Sequence, residues 1–426
     1  NGMGYYNVRD RVWTCGFDSA SHDAPGNVAL ISQSGSGMSG IIDCEERLRI
    51  NVAVSPGNEL SVTIDEDLDF VLDLPERRVV GLFIETARNP AGFQAALEKA
   101  AHRGIPVVAL KVGRTEKSAR LAVSHSGAMA GDDATYEALF DRYGVQRARD
   151  QDEFTTMLIL FAELHPVGAG GLVTLHDSGG ERQLLVDLAE EAGVPLTELT
   201  EETVAALEGV LDPELPAVNP LDAWSRGGPD ASENITRCLT LMMQDPGTAL
   251  AAVIHDRAPY GKIYETYLSY MQRARAESGK AVALVSARQG TGCDEAVVTS
   301  THSGFPVLDG VSQFLAGVRA LFAYRDFQLR ETVSPKPVDR AAVGAWQNRL
   351  AGGGTLDEAG ALSLLSDFGV ASASALKANS AETLIAAADE VGYPVVLKTA
   401  QAGILHKSDH GGVVLGIAEA DQLLQV

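Results

Sequence analysis

Val28-Ala29-Leu30-Ile31-Ser32 runs directly into Gln33-Ser34-Gly35-Ser36-Gly37-Met38-Ser39-Gly40. Five apolar or small residues in a row predict a buried strand. The Ser-Gly cluster after it predicts a tight turn that opens a helix. The same rhythm continues downstream. Val79-Val80-Gly81-Leu82-Phe83-Ile84-Glu85 reads as a strand, Phe93 to Ala101 as a helix, and Pro106 to Leu110 as a third strand. Strand and helix in alternation imply a parallel sheet covered by helices, because parallel neighbours need a crossover connection.

The pattern then restarts. Gly171 to Leu175 predicts a strand, His176-Asp177-Ser178-Gly179-Gly180-Glu181 a turn, and Arg182 to Gly193 a helix. Ala249 to His255, Lys280 to Ser286 and Phe305 to Leu308 supply further strands, followed by a helix to about Tyr324. The expectation is two similar α/β domains, 26–163 and 168–328. A linker over 329–355 follows, with Pro335 and Pro337 favouring an extended spacer. From 356 the chain changes character. It offers a helix (Asp357 to Phe368), a strand (Gly392 to Lys398) and a hairpin ending in Gly411 to Gly416. It stops at Val426 in a helical pattern and opens on Asn1-Gly2-Met3-Gly4, so the sequence reads as part of a longer one.

With 426 residues, 45% of them hydrophobic, the chain can bury several cores. Its net charge of −23 argues against a nucleic-acid or anionic-membrane binder. A local pocket can still be positive, so anionic small substrates stay open. Cys15, Cys44, Cys238 and Cys293 are scattered and form no CxxC pair, which points to reduced thiols and a cytoplasmic setting. No apolar run reaches the ~20 residues of a membrane span. The start has no signal-peptide pattern.

Five features bear chemistry. His125 lies in Ser124-His125-Ser126-Gly127-Ala128-Met129-Ala130-Gly131. Its small neighbours leave an imidazole accessible, able to attack phosphorus and carry a phosphoryl group. Ser34, Gly35 and Ser36 open a helix, where amide groups and the helix dipole stabilise an anion. They also suit a plain strand-to-helix turn. Ser178, Gly179 and Gly180 repeat the device, and together the pair suggests a phosphate between two helix starts. Glu85 ends a strand at the edge where ligands of such sheets sit. There a carboxylate could fix the tautomer of a histidine ring or could simply face solvent. Lys398 closes an apolar strand, where a nucleotide phosphate would suit it, as would water reached by snorkelling. His406-Lys407-Ser408-Asp409 and Gly411-Gly412 follow.

These motifs, in this order and spacing, resemble the NDP-forming acyl-CoA synthetases, typified by ADP-forming acetate–CoA ligase and related to succinyl-CoA synthetase. The resemblance rests on Val28 to Gly35, the Glu85 strand, Ser124 to Gly131 and Leu405 to Gly416, and covers nearly the whole chain. It implies an α/β fold of two flavodoxin-like parallel-sheet CoA-ligase domains followed by a partial ATP-grasp subdomain (356–426). It also implies that residues 1–25 are the tail of a CoA-binding Rossmann-like domain. The expected activity is acid–thiol ligation. Acyl-CoA, ADP and phosphate interconvert with acid, CoA and ATP through an acyl phosphate and a phosphohistidine.

By the resemblance, His125 is the phosphorylated histidine and Glu85 the acid that orients it. Ser34, Gly35, Ser36, Ser178, Gly179 and Gly180 bind phosphate, and Lys398 contacts the nucleotide. Asn219-Pro220-Leu221-Asp222 resembles an Asn-Pro-Val-Asp turn of the second ligase domain. His406 is a conceivable second phosphoryl acceptor. The cofactors are ATP or ADP, coenzyme A and Mg²⁺, with metal ligands expected outside this chain. The partners are a carboxylic acid and its acyl-CoA, and the assembly a homo-oligomer or a pairing of ligase domains. Asp177-Ser178-Gly179-Gly180 departs from the commoner Asn-Ala-Gly-Gly. Two other readings stand beside the ligase: a CoA- or nucleotide-sensing module of a protein acetyltransferase, and a non-catalytic remnant.

Overall fold

Val28–Ser32 (β3) is buried along its whole length, with Val28 and Leu30 facing one core and Ala29 and Ile31 another. A strand covered on both faces needs apolar residues at every position, which is why this run shows no alternation. The structure, a computed structural model, describes residues 4–14, 24–75, 78–118, 133–223, 230–256, 262–288, 290–291, 294–331, 339–353, 356–400 and 407–425. Contacts divide the chain into Asn1–Arg330 and Glu331–Val426.

The described residues of the first unit form two sheets. Gly4–Asn7 (β1), Val12–Trp13 (β2), β3, Ile50–Ser55 (β4), Val79–Ile84 (β5), Val107–Lys111 (β6) and Gln146–Ala148 (β7) form the first, in the order β2-β1-β4-β3-β5-β6-β7. From β4 to β7 all neighbours are parallel. β1 and β2 add an antiparallel edge, with β1 against β4 and β2 outside it. Among the described residues its helices are Gly35–Cys44 (α1), Ile64–Asp73 (α2), Pro90–His102 (α3), Asp133–Tyr143 (α4) and Gln151–Leu164 (α5). Met157 to Ala162 belong to α5 and are buried.

The second sheet contains Gly171–His176 (β8), Leu221–Asp222 (β9), Thr248–His255 (β10), Ala281–Ser286 (β11) and Val307–Asp309 (β12), ordered β12-β11-β10-β8-β9 and parallel throughout. Its helices are Gly179–Ala192 (α6), Glu201–Glu208 (α7), Ala231–Gln244 (α8), Lys262–Ser278 (α9), Glu295–His302 (α10) and Val311–Leu329 (α11). Numbered by their own order in the chain, the parallel strands of each sheet follow 2-1-3-4-5, the flavodoxin-like order. One apolar core joins the sheets, built around α5 and α11.

The second unit is described by itself. Arg340–Leu350 (α12) occupies part of the stretch read as linker, while 332–338 lie outside the described residues. Its other described α-helices and strands are Glu358–Asp367 (α13), Ala381–Val391 (α14), Val395–Lys398 (β13), Val413–Ile417 (β14) and Ala420–Leu423 (α15). β13 and β14 pair antiparallel.

Candidate active site

In a 2-1-3-4-5 sheet the strand order reverses between strands 1 and 3, and the crevice there is where ligands bind. In the first sheet those strands are β3 and β5, aligned with Ser32 opposite Phe83. Ser34 and Glu85, just past their ends, therefore share one corner.

Ser34 is the N-cap of α1, and its hydroxyl accepts from the Gly37 amide at 3.2 Å. The earlier amides of the turn have no carbonyl within the helix and point outward. Gly37 is required by space, since a Cβ there would lie 2.7 Å from Phe83 Cε1. Gln33 joins the two strand ends. Its Oε1 accepts from the Glu85 amide at 2.6 Å and the Thr86 amide at 3.0 Å. Its Nε2 donates to the Thr86 carbonyl at 2.7 Å and to Glu59 Oε1. Glu59 is buried at a left-handed φ of 53°. Burial pushes its carboxyl up, partly opposed by the Gln33 hydrogen bond. Nearby Asp67 is pushed up to about 6 by burial and by the like charges of Glu59, Glu66 and Asp65.

β6 closes the other side, with Lys111 opposite Ile84. Lys111 is only 2% exposed, and its ammonium lies 4.7 Å from the centre of the Tyr136 ring. Burial pulls its pKa down to about 8, with Asp133 opposing the shift most strongly and Glu85 weakly. The Tyr136 hydroxyl accepts from the Ala87 amide at 2.8 Å. Asp133 pairs with Arg147. His125 falls within 119–132, outside the described residues, which resume at Asp133 in this corner.

The second sheet has the matching corner between β8 and β10. Ser178 is the N-cap of α6 and makes no side-chain cap bond, so the hydroxyl of Ser178 is not spent on the helix. Asp177, in the place of Gln33, accepts from the Tyr267 hydroxyl. His176 is fully buried, held to Thr174 Oγ1 at 2.9 Å and pulled down to about 3 chiefly by burial. It is a neutral core histidine. Asn219 is structural. Its Oδ1 accepts from the Thr174 amide (3.0 Å) while Nδ2 donates to the Leu172 and Thr197 carbonyls (2.9 and 3.0 Å).

In the second unit Lys398 pairs with Glu358, which also holds Lys407 at 2.8 Å. The two lysines pull Glu358 below the usual carboxylate range. Lys398 therefore sits in a carboxylate-bridged pair of cations at the surface. His406 lies outside the described residues. Among the described residues no group of three or more His, Cys, Asp or Glu could hold a metal ion, and no helix is long and apolar enough to cross a membrane. Sequence reasoning passed over Gln33, Glu59, Lys111, Tyr136 and Glu358. Gln33 stood inside the decisive motif, and its signal was a long polar side chain in a turn otherwise made of Ser and Gly.

The sequence model for the succinyl-CoA ligase-like flavodoxin domain matches residues 25–161, and that for an ATP-grasp domain matches 347–426. An ADP-forming acetate–CoA ligase I from Archaeoglobus fulgidus is 27% identical over 93% of this chain and 57% of its own length. The chain carries a succinyl-CoA ligase-like flavodoxin domain and ATP-grasp sequence. A trans-feruloyl-CoA synthase from an unknown prokaryotic organism is 27% identical over 88% of this chain and 52% of its own length. The chain thus spans about half the length of these curated synthetase relatives. A dinucleotide-forming acetyl-coenzyme A synthetase 1 from Ca. Korarchaeum cryptofilum, solved with phosphate and ADP, shares the synthetase fold. Its TM-score is 0.67 at 23% identity, over 78% of this chain and 72% of that one.

Proposed function

We propose that this chain carries the phosphoryl-relay part of an ADP-forming acid–thiol ligase, working in the cytoplasm on a carboxylic acid and its CoA thioester. Phosphate attacks the thioester carbonyl, the C–S bond breaks, and CoA leaves as the acyl phosphate forms. A ring nitrogen of His125 then attacks phosphorus. The P–O bond to the acyl group breaks and the free carboxylate departs. Finally an ADP oxygen takes the phosphoryl group from the histidine, giving ATP and restoring the imidazole.

The observation that carries this reading is the corner at the β3/β5 reversal. Supporting it are the register that ends β3 and β5 at one corner and the Gln33 side chain, which holds the Glu85 and Thr86 amides and precedes the start of α1. Preorganised amides at Gly35 and Ser36 suit the developing charge on phosphoryl oxygens. Glu85 suits an imidazole N–H, leaving the other ring nitrogen to attack. Ser178 to Gly180 offer the same donors at the second sheet. Lys398 is assigned to nucleotide phosphates, which would take the place of the Glu358 carboxylate. Mg²⁺, with ligands outside the residues described, would neutralise the nucleotide charge.

The test is intact-protein mass spectrometry under alkaline conditions that preserve phosphohistidine. Full-length protein and its His125→Ala variant are each incubated with Mg-ATP. The expected result is one acid-labile phosphoryl group in the parent and none in the variant. No gain in the parent overturns the reading.

A further inference from the structure

We propose that Gln33 is the positioning residue for Glu85, and that Glu59 fixes the orientation in which Gln33 works. This rests on the relay reading for what Glu85 does, while the clamp itself rests on geometry alone.

A glutamine amide has two acceptor sites on oxygen and two N–H donors on nitrogen. Gln33 uses all four. Two backbone amides, Glu85 and Thr86, converge on Oε1, and two acceptors, the Thr86 carbonyl and Glu59, face Nε2. The reverse orientation would set NH₂ against two N–H groups and oxygen against two oxygens, so only one orientation is possible. Gln33 is 7% exposed, and its own amide donates to the Phe83 carbonyl at 3.0 Å on the strand that carries Glu85. The next residue, Ser34, caps α1. One residue therefore ties the helix start that offers amides to the strand end that offers the carboxylate.

The far side of the same loop is held by Tyr136, through the Ala87 amide. Glu85 thus sits between two tethers to two different elements. Glu59 is kept in place by burial on a left-handed backbone, and its other oxygen, Oε2, is buried without a hydrogen-bond partner among the described residues. A buried carboxylate with an unused oxygen is a costly arrangement. The Ile64 amide and the Arg88 charge also favour the carboxylate, and what it supplies is the orientation of the Gln33 amide.

The discriminating variant is Gln33→Glu, equal in shape. It keeps the acceptor for the two amides and loses both donors, so two carboxylates face each other. Asp65, Asp67 and Arg88 lie on the Glu59 side, and Glu85 and Lys111 on the other. One proton shared between residues 33 and 59 would restore a donor, so the defect should be relieved by acid. In full-length protein with Mg-ATP, phosphoryl uptake by Gln33→Glu is expected to fall about tenfold to a hundredfold near pH 8, with the ATP concentration for half-maximal rate unchanged. The ratio of variant to parent should recover roughly tenfold by about pH 6. A ratio constant with pH, or parent-like uptake in both Gln33→Glu and Gln33→Ala, overturns the proposal. If the Gln33 variants do not fold, Tyr136→Phe removes the opposite tether and must also slow uptake; parent-like uptake there counts against the clamp. If the parent itself takes up no phosphoryl group, the relay reading falls. Amide hydrogen exchange at Glu85 and Thr86 then decides the clamp. Protection lost in Gln33→Ala supports it, and equal protection in parent and variant overturns it.

Discussion

Lys111 and Tyr136 come from different elements, the end of β6 and the first turn of α4, and the lysine ammonium lies 4.7 Å from the centre of the tyrosine ring. The contact puts a buried cation beside the strand that leads to Glu85.

That cation makes stability depend on pH. The Lys111 pKa is about 8 in the folded chain, below the ordinary 10.5. Between those values the unfolded chain binds the extra proton, so stability rises with pH across the window. Lys111→Met removes the titration. The parent should gain stability relative to Lys111→Met from about pH 8 to 10, by about 1–3 kcal/mol, read from paired melting curves. A difference constant with pH would contradict it.

Asp67 predicts the opposite slope. Its pKa is raised from 3.8 to about 6, so the folded chain holds the extra proton between those values and stability falls as pH rises through them. Asp67→Asn is expected to be the more stable protein at pH 7, by about 1–2 kcal/mol, and to lose that advantage near pH 4. Urea titrations at the two pH values measure it.

Asn219 is half-buried and should be costly to lose. Its side chain bridges the Leu172 and Thr174 main chain to Thr197 by three hydrogen bonds. Asn219→Ala leaves those backbone groups without their partner and is expected to destabilise by about 2–4 kcal/mol. Asn219→Asp keeps the acceptor for the Thr174 amide and loses both donors, so it should fall between parent and Asn219→Ala in denaturant midpoint.

Glu358 should matter for binding and little for folding. Its pair with Lys398 is exposed and that with Lys407 half-buried, and pairs this close to solvent contribute about 0–1 kcal/mol. Glu358→Gln should leave the melting temperature within a few degrees and free Lys398 for phosphate, tightening ADP binding in calorimetry. Lys398→Ala should weaken it. Weaker ADP binding by Glu358→Gln would remove the nucleotide role given to Lys398.

Much of the architecture was legible because buried parallel strands are short apolar runs bounded by glycine and serine. Val28–Ser32, Val79–Ile84, Gly171–His176 and Ala281–Ser286 all announce themselves this way. Gln146–Ala148 and Leu221–Asp222 do not, being edge strands of two or three residues whose pairing depends on a neighbour. Ile50–Ser55 is as apolar as the rest, yet its polar Asn51 masks the run.

For the candidate site, the sequence by itself determined the motif residues: Ser34 and Ser178 as helix starts, Glu85 at a strand end, and Lys398 after an apolar strand. These are local facts, set by which side chains the backbone tolerates at a turn or strand end. Only the tertiary structure decided who their partners are. Gln33 reaches residues 85 and 86, Lys111 reaches Tyr136, and Glu358 reaches Lys398. Those contacts join residues tens of positions apart, and their distances come from strand order and helix packing. No periodicity along the chain encodes them.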